Sequence, residues 1–126
     1  MRDINLHIVH CSDTPDNMDL GVKIIRQWHL KRKWKDIGYH FVIRRDGSIE
    51  LGRPISTMGA HAKGYNKNSI GTCLVGRNEF TEEQFKSLKF LDNHFKMAYN
   101  VETIGHNEVN EYKTCPNFNV KEILKG

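Results

Sequence analysis

The apolar positions along the chain fall into short runs of two kinds. From Ile4 to Ile8, Ile4, Leu6 and Ile8 alternate with Asn5 and His7, the period-two pattern of a strand with one face toward a core. That run ends at His10-Cys11-Ser12, and Thr14-Pro15-Asp16-Asn17 is turn-forming. From Leu20 to Trp34 the period lengthens to that of a helix, with Ile24, Ile25 and Trp28 on one face and Lys23, Arg26, Gln27 and Lys31 on the other. Asp19 stands where an N-cap accepts from the first free amides. Tyr39 to Arg45 and Ser48 to Arg53 read as two strands joined at Asp46-Gly47, a pair that tolerates positive φ in a hairpin. Ser69 to Gly76 reads as a buried strand. Thr81-Glu82-Glu83-Gln84 is a capping box opening a helix to about Tyr99, with Phe85, Leu88, Leu91, Phe95 and Tyr99 inward and Asn100 suited to a left-handed stop. Val101 to Gly105 is a short last strand, and Asn119 caps a terminal helix through Leu124. The order β-α-β-β-β-α-β-α predicts an α/β fold, a mixed central sheet flanked by helices.

A chain of 126 residues suits one domain, here 1–126, and no internal repeat divides it. The net charge of +4 is mild and reads as a solvated basic surface, with an acidic cell-wall polymer or nucleic acid as the alternatives. Its densest run, Leu30-Lys31-Arg32-Lys33-Trp34-Lys35, reads as a helix end where cations are favoured, so no nucleic-acid partner is expected. No stretch approaches the ~18 apolar residues of a membrane span, and Met1-Arg2-Asp3 leads into the first strand without an apolar leader. Synthesis in the cytoplasm without a signal peptide, no membrane insertion and a monomeric chain are the corresponding expectations. Three cysteines are an odd count and argue against a disulfide framework. Cys11 and Cys73 adjoin apolar runs and read as buried, whereas Cys115 lies in a polar loop before Pro116.

The candidate chemistry sits at strand exits and in loops. His10 and His106 each end a strand pattern, and Cys115 follows nine positions after His106. Two imidazoles and a thiolate form a donor set suited to Zn²⁺, and three protein ligands leave a fourth position for water. On spacing alone His10 is equally well a hydrogen-bonded core histidine, and seven histidines permit many such triplets. The loop from Pro54 to Asn68 is long for a small domain, and such loops carry function.

Several ordered motifs narrow this. They are Val9-His10-Cys11-Ser12, Ile25-Arg26-Gln27-Trp28-His29, Gly38-Tyr39-His40-Phe41, Arg45-Asp46-Gly47 with Gly52-Arg53, His61-Ala62-Lys63-Gly64-Tyr65-Asn66 through Gly71, Gly105-His106-Asn107-Glu108-Val109, and Lys113-Thr114-Cys115-Pro116. In them the whole chain resembles the type 2 zinc-dependent N-acetylmuramoyl-L-alanine amidases, a family that includes the peptidoglycan recognition proteins and phage lysozymes of amidase type. The resemblance implies one Zn²⁺ held by His10, His106 and Cys115, with Tyr39 and Lys113 beside the attacking water and the scissile carbonyl. It implies peptidoglycan or a muropeptide as substrate, with His61 and Asn66 in contact with it. His7, His29 and His40 are then structural and His94 a surface residue. By the same resemblance the enzyme reaches the cell wall by a holin-type release. Its rivals are a muropeptide-recycling amidase and a non-catalytic peptidoglycan-binding module, against which the thiolate of Cys115 speaks. Binding to a phage RNA polymerase rests on analogy with one family member alone, and the short segment before the first strand speaks against it.

Overall fold

The computed structural model describes residues 2–125. Five strands form one mixed sheet in the order β3-β2-β4-β1-β5. The strands are β1 (Leu6–Cys11), β2 (Phe41–Ile43), β3 (Ile49–Leu51), β4 (Ser69–Leu74) and β5 (Glu102–Gly105). β1 is parallel to both β4 and β5, β2 is parallel to β4, and only β3 runs antiparallel, to β2. The helices are α1 (Val22–Lys31), α2 (Glu82–Tyr99) and α3 (Val120–Leu124), with short 3₁₀ turns at Asn66–Asn68 and His106–Glu108. This is the expected α/β fold, a single small domain.

β1 is an interior strand between β4 and β5, and its burial differs from the alternation expected of it. Residues His7 to Cys11 are all buried, because a strand with parallel neighbours on both sides is covered on both faces. On one face Val9, Ile43, Ile70 and Leu74 pack against Leu88, Leu91 and Phe95 of α2. On the other, Val42, Cys73 and Val75 meet Val22 and Ile25 of α1, and Ile8 meets Ala62 and Ile104. His7 points to the α2 side as part of a closed polar network. Its Nδ1 lies 2.9 Å from the Asp92 carboxylate and its Nε2 2.8 Å from the Thr72 hydroxyl. An ionised carboxylate only accepts, so Nδ1 carries the proton and Nε2 accepts from Thr72.

Two local expectations are corrected. The N-cap of α1 is Gly21, not Asp19, and the cap makes no side-chain hydrogen bond. The Asp19 carboxylate is held by the Arg44 guanidinium at 2.9 Å, and the amide of Val22 donates instead to Glu50 Oε1 from β3 at 2.8 Å. The inward row of α1 is Val22, Ile25 and His29, which leaves Ile24 and Trp28 37% and 39% exposed. α2 keeps the expected capping box and the left-handed Asn100, with φ of 55°. Asn119 caps α3 through the amide of Glu122.

Candidate active site

The carboxyl ends of the parallel strands β1 and β5 are neighbours in the sheet, and crevices outside such strand ends are where open α/β sheets place their sites. The last β1–β5 pair is Val9 with Gly105. One residue further along each strand stand His10 and His106, whose ring centroids are 4.5 Å apart. The loop after His106 folds back through the amide of Asn107, which donates to the Cys115 carbonyl at 2.9 Å. It sets the Cys115 thiol over the end of β1, where the amide of Cys11 donates to Cys115 Sγ at 2.7 Å. The ligand atoms of His10, His106 and Cys115 lie within 4.8 Å of one another. The three residues predicted to share a metal therefore converge, although 96 positions of chain separate the first two and the third arrives by a loop.

Two histidines and a cysteine fit zinc by their chemistry. Their surroundings favour the unprotonated imidazoles that ligation needs: burial lowers His10 well below the ordinary histidine range, and burial with the nearby Lys113 charge lowers His106. The Cys115 thiol is pushed up by its hydrogen bond with Cys11 and by burial. The N–H donated by Cys11 is the type of outer contact that tunes a metal thiolate.

Other side chains close around this centre. His10 Nε2 is 2.8 Å from His61 Nδ1, and His61 Nε2 is 3.2 Å from Ser69 Oγ. Both nitrogens of His61 are thus engaged within the protein, and the ring is buried against Gly71, where a Cβ would come within 2.6 Å of it. Asn66 uses its Oδ1 to accept from the amides of His61 and Ala62, holding the loop that presents them. Both residues, expected to touch substrate, line the cleft and at the same time build its wall. The Tyr39 ring stands 5.1 Å from that of His10. Burial first, and then the neighbouring thiols led by Cys73, push its phenol well up, so it remains a donor. Lys113 is exposed on the lip beside His106. His29 accepts from the amide of Gly38, and His40 accepts from Gly71 N and lies beside Thr57 O, the structural roles expected of them.

His10, His106 and Cys115 line one open cleft of about 1100 Å³ with His29, Tyr39, His61, Asn66 and Lys113, whereas His40 lies outside its lining. A wall that sequence reasoning missed is made by Trp28, Arg32 and Trp34. Its signal was present in the end of α1. The amide of Lys33 donates to Leu30 O and that of Trp34 to His29 O, with Lys33 left-handed at φ 67°. This is a Schellman stop, and the accompanying side-chain contact is the tilted packing of Trp34 against His29, with ring centroids 4.4 Å apart. That contact turns the indole into the cleft. Tyr112, 88% exposed, is also on the lining.

Comparison with known proteins shows the family. A family model described as N-acetylmuramoyl-L-alanine amidase matches residues 1–118. The endolysin of Enterobacteria phage K11 is 43% identical over 126 residues, covering 93% of this chain and 83% of its own length. The endolysin of Escherichia phage T7 is 45% identical over 122 residues, covering 90% and 80%. Among solved structures, the N-acetylmuramoyl-L-alanine amidase LysC from Clostridium intestinale superposes with a TM-score of 0.87 at 33% identity, covering 97% of this chain and 83% of that one. The match spans nearly the whole chain, and the chain belongs to the N-acetylmuramoyl-L-alanine amidase family.

Proposed function

We propose that this protein is a zinc-dependent endolysin-type amidase, in which the single domain 1–126 hydrolyses the amide between the lactyl group of N-acetylmuramic acid and the L-alanine of the peptidoglycan stem. The observation that carries the zinc reading is the convergence of His10, His106 and Cys115 to within 4.8 Å on the floor of an open cleft. Zinc held by these three would lower the pKa of a water molecule and polarise the amide carbonyl.

The chain's own groups do the rest. Trp28, Trp34 and the loop carrying His61 and Asn66 form the two walls between which the sugar–peptide junction lies. His61 fixes the ring of His10 through the 2.8 Å contact at Nε2, which leaves Nδ1 as the nitrogen that would hold a metal. Lys113 is a positive charge on the lip. A site of one dication and one thiolate carries a single net positive charge, and Lys113 adds a second to oppose the oxyanion that develops on the amide. The protonated Tyr39 hydroxyl donates to the same developing charge or holds the water in line. Water adds across the C–N bond, leaving a lactyl carboxylate and the free amine of L-alanine.

After synthesis the enzyme acts on the cell wall, as expected of a released endolysin. Among the described residues no helix is long and apolar enough to cross a membrane. The test is digestion of purified peptidoglycan with mass analysis of the products. Free stem peptides with a new L-alanine amino terminus, lost on chelation and regained with Zn²⁺, are the expected outcome. Glycan-chain cleavage, or binding with no release, would overturn the reading.

A further inference from the structure

The basic run at the end of α1 is not accounted for by the amidase chemistry. Lys31, Arg32, Lys33 and Lys35 are all exposed. Among the described residues none of them is within ion-pair distance of a carboxylate; the nearby Asp36 is taken by Arg26 at 2.6 Å. The helix dipole explains only part of the run, because α1 ends at Lys31 and Lys33 and Lys35 lie beyond it.

Lys33 is the informative member. It occupies the left-handed position of the Schellman stop, at φ 67°, where glycine is the usual residue and a Cβ is strained. The chain keeps a cation where the backbone favours glycine. This turn also carries Arg32 and Trp34, which face each other at 5.7 Å and line the cleft. The charge is continuous with the cleft itself, whose lining carries Arg32, Lys63 and Lys113. The one acidic side chain on that lining among the described residues, Asp13, is paired with Arg77 at 2.8 Å.

We infer that Lys31, Lys33 and Lys35 form an electrostatic docking lip for the carboxylate-rich stem peptides of polymeric peptidoglycan neighbouring the one being cut. The inference rests on the proposed function, since it takes the cleft occupant to be a peptidoglycan stem. A single muropeptide fills the cleft and leaves the lip unused. In the polymer, adjacent stems present further carboxylates beside the cleft, and the lip adds to binding by raising local substrate concentration. The position selects this partner over nucleic acid: the run is a single turn on the rim of the cleft.

Two variants test it, neither touching the cleft lining. In Lys31→Glu/Lys33→Glu/Lys35→Glu, co-sedimentation with peptidoglycan sheets stripped of attached polymers should weaken on the order of tenfold at low salt. Turnover of a soluble N-acetylmuramoyl tripeptide should be unchanged. Wild-type sedimentation should weaken with added salt, and that of the variant should weaken less, because only the cleft cations remain. In Lys33→Gly the backbone strain is relieved, so thermal stability should hold or rise while sedimentation weakens, which separates docking from folding. Unchanged sedimentation in both variants, equal losses on polymer and soluble substrate, or wild-type retention only by nucleic acid or by sheets retaining their attached polymers would each overturn the lip. Failure of the amidase reading is seen separately, as absent turnover of the soluble substrate by zinc-loaded wild type.

Discussion

His10 Nε2 and His61 Nδ1 are 2.8 Å apart, although the two residues come from a central strand and a long loop. With Ser69 at its other nitrogen, His61 is a rigid link between β4 and the proposed metal ligand His10. An outer partner of this kind fixes ring orientation, and its loss typically costs 10–100-fold in metal affinity. His61→Ala is expected to weaken zinc binding by about that factor, measured by competition with a chromophoric chelator. Zinc affinity equal to wild type would return His61 to the simple substrate-contact role first expected of it.

The thiol chemistry gives a second prediction. Cys11, Cys73 and Cys115 are all free, and the Cys115 thiol sits against the Cys11 amide. Cys115→Ser should lose most of the bound zinc while retaining the fold, because only one loop contact is altered. Metal analysis and circular dichroism together check this. Titration of the denatured, metal-free, unreduced protein should count three thiols; a count of one would reveal a disulfide.

How far the sequence could be followed depended on the range of each interaction. The capping box of Thr81 and Gln84, the left-handed Asn100 and the Asn119 cap are contacts between near neighbours, and each stands where the residue types indicate. Asp19 fits an N-cap equally well on local grounds. It is drawn away by Arg44, and the cap is supplied by Glu50 from a different strand. No window around position 19 contains either residue. The spacing of Trp28 matches an apolar face with Ile24 and Ile25, but α1 rests on the row Val22–Ile25–His29 and turns Trp28 toward the cleft. The site followed the same rule. Its donor types were legible as zinc chemistry, yet their convergence depends on β1 and β5 becoming neighbours across almost the whole chain. Family resemblance, not spacing, supplied that step.

Acid should destabilise the fold in a defined window. Burial lowers His7, His29 and His40, the last two to about 4, against an ordinary value near 6.5. A histidine lowered on folding contributes stability that is full above the unfolded value and is lost as pH falls through the folded one. Between about pH 6.5 and 4 the unfolded chain therefore binds more protons, and stability falls with pH. Burial alone would raise the Asp92 carboxyl, but hydrogen bonds led by that of His7 outweigh it and hold it at about 2. Its contribution is lost later, between about pH 4 and 2. Urea unfolding of metal-free protein at a series of pH values should show the first decline beginning near neutrality. Constant stability from pH 7 to pH 5 would contradict it.

The final prediction concerns Lys113 and Tyr39, which both line the cleft that holds the candidate metal ligands. Lys113 is exposed, and its charge is felt at His106 as a lowering of that imidazole. Tyr39 is packed against His10 and kept protonated by burial. If Lys113 opposes charge that develops only in the transition state, Lys113→Ala should lower kcat on the order of 10²–10³-fold with KM and zinc content nearly unchanged. Tyr39→Phe removes one hydroxyl and leaves the ring contact with His10, so folding should be spared and activity should fall by ~10²-fold or more. Because both groups act on one intermediate, the double variant should lose less than the product of the single losses. Release of free stem peptide by the four proteins measures this. A fully multiplicative double variant would mean that the two residues serve separate steps. Wild-type turnover in Lys113→Ala would remove Lys113 from the chemistry and leave its charge only a part in attracting the substrate.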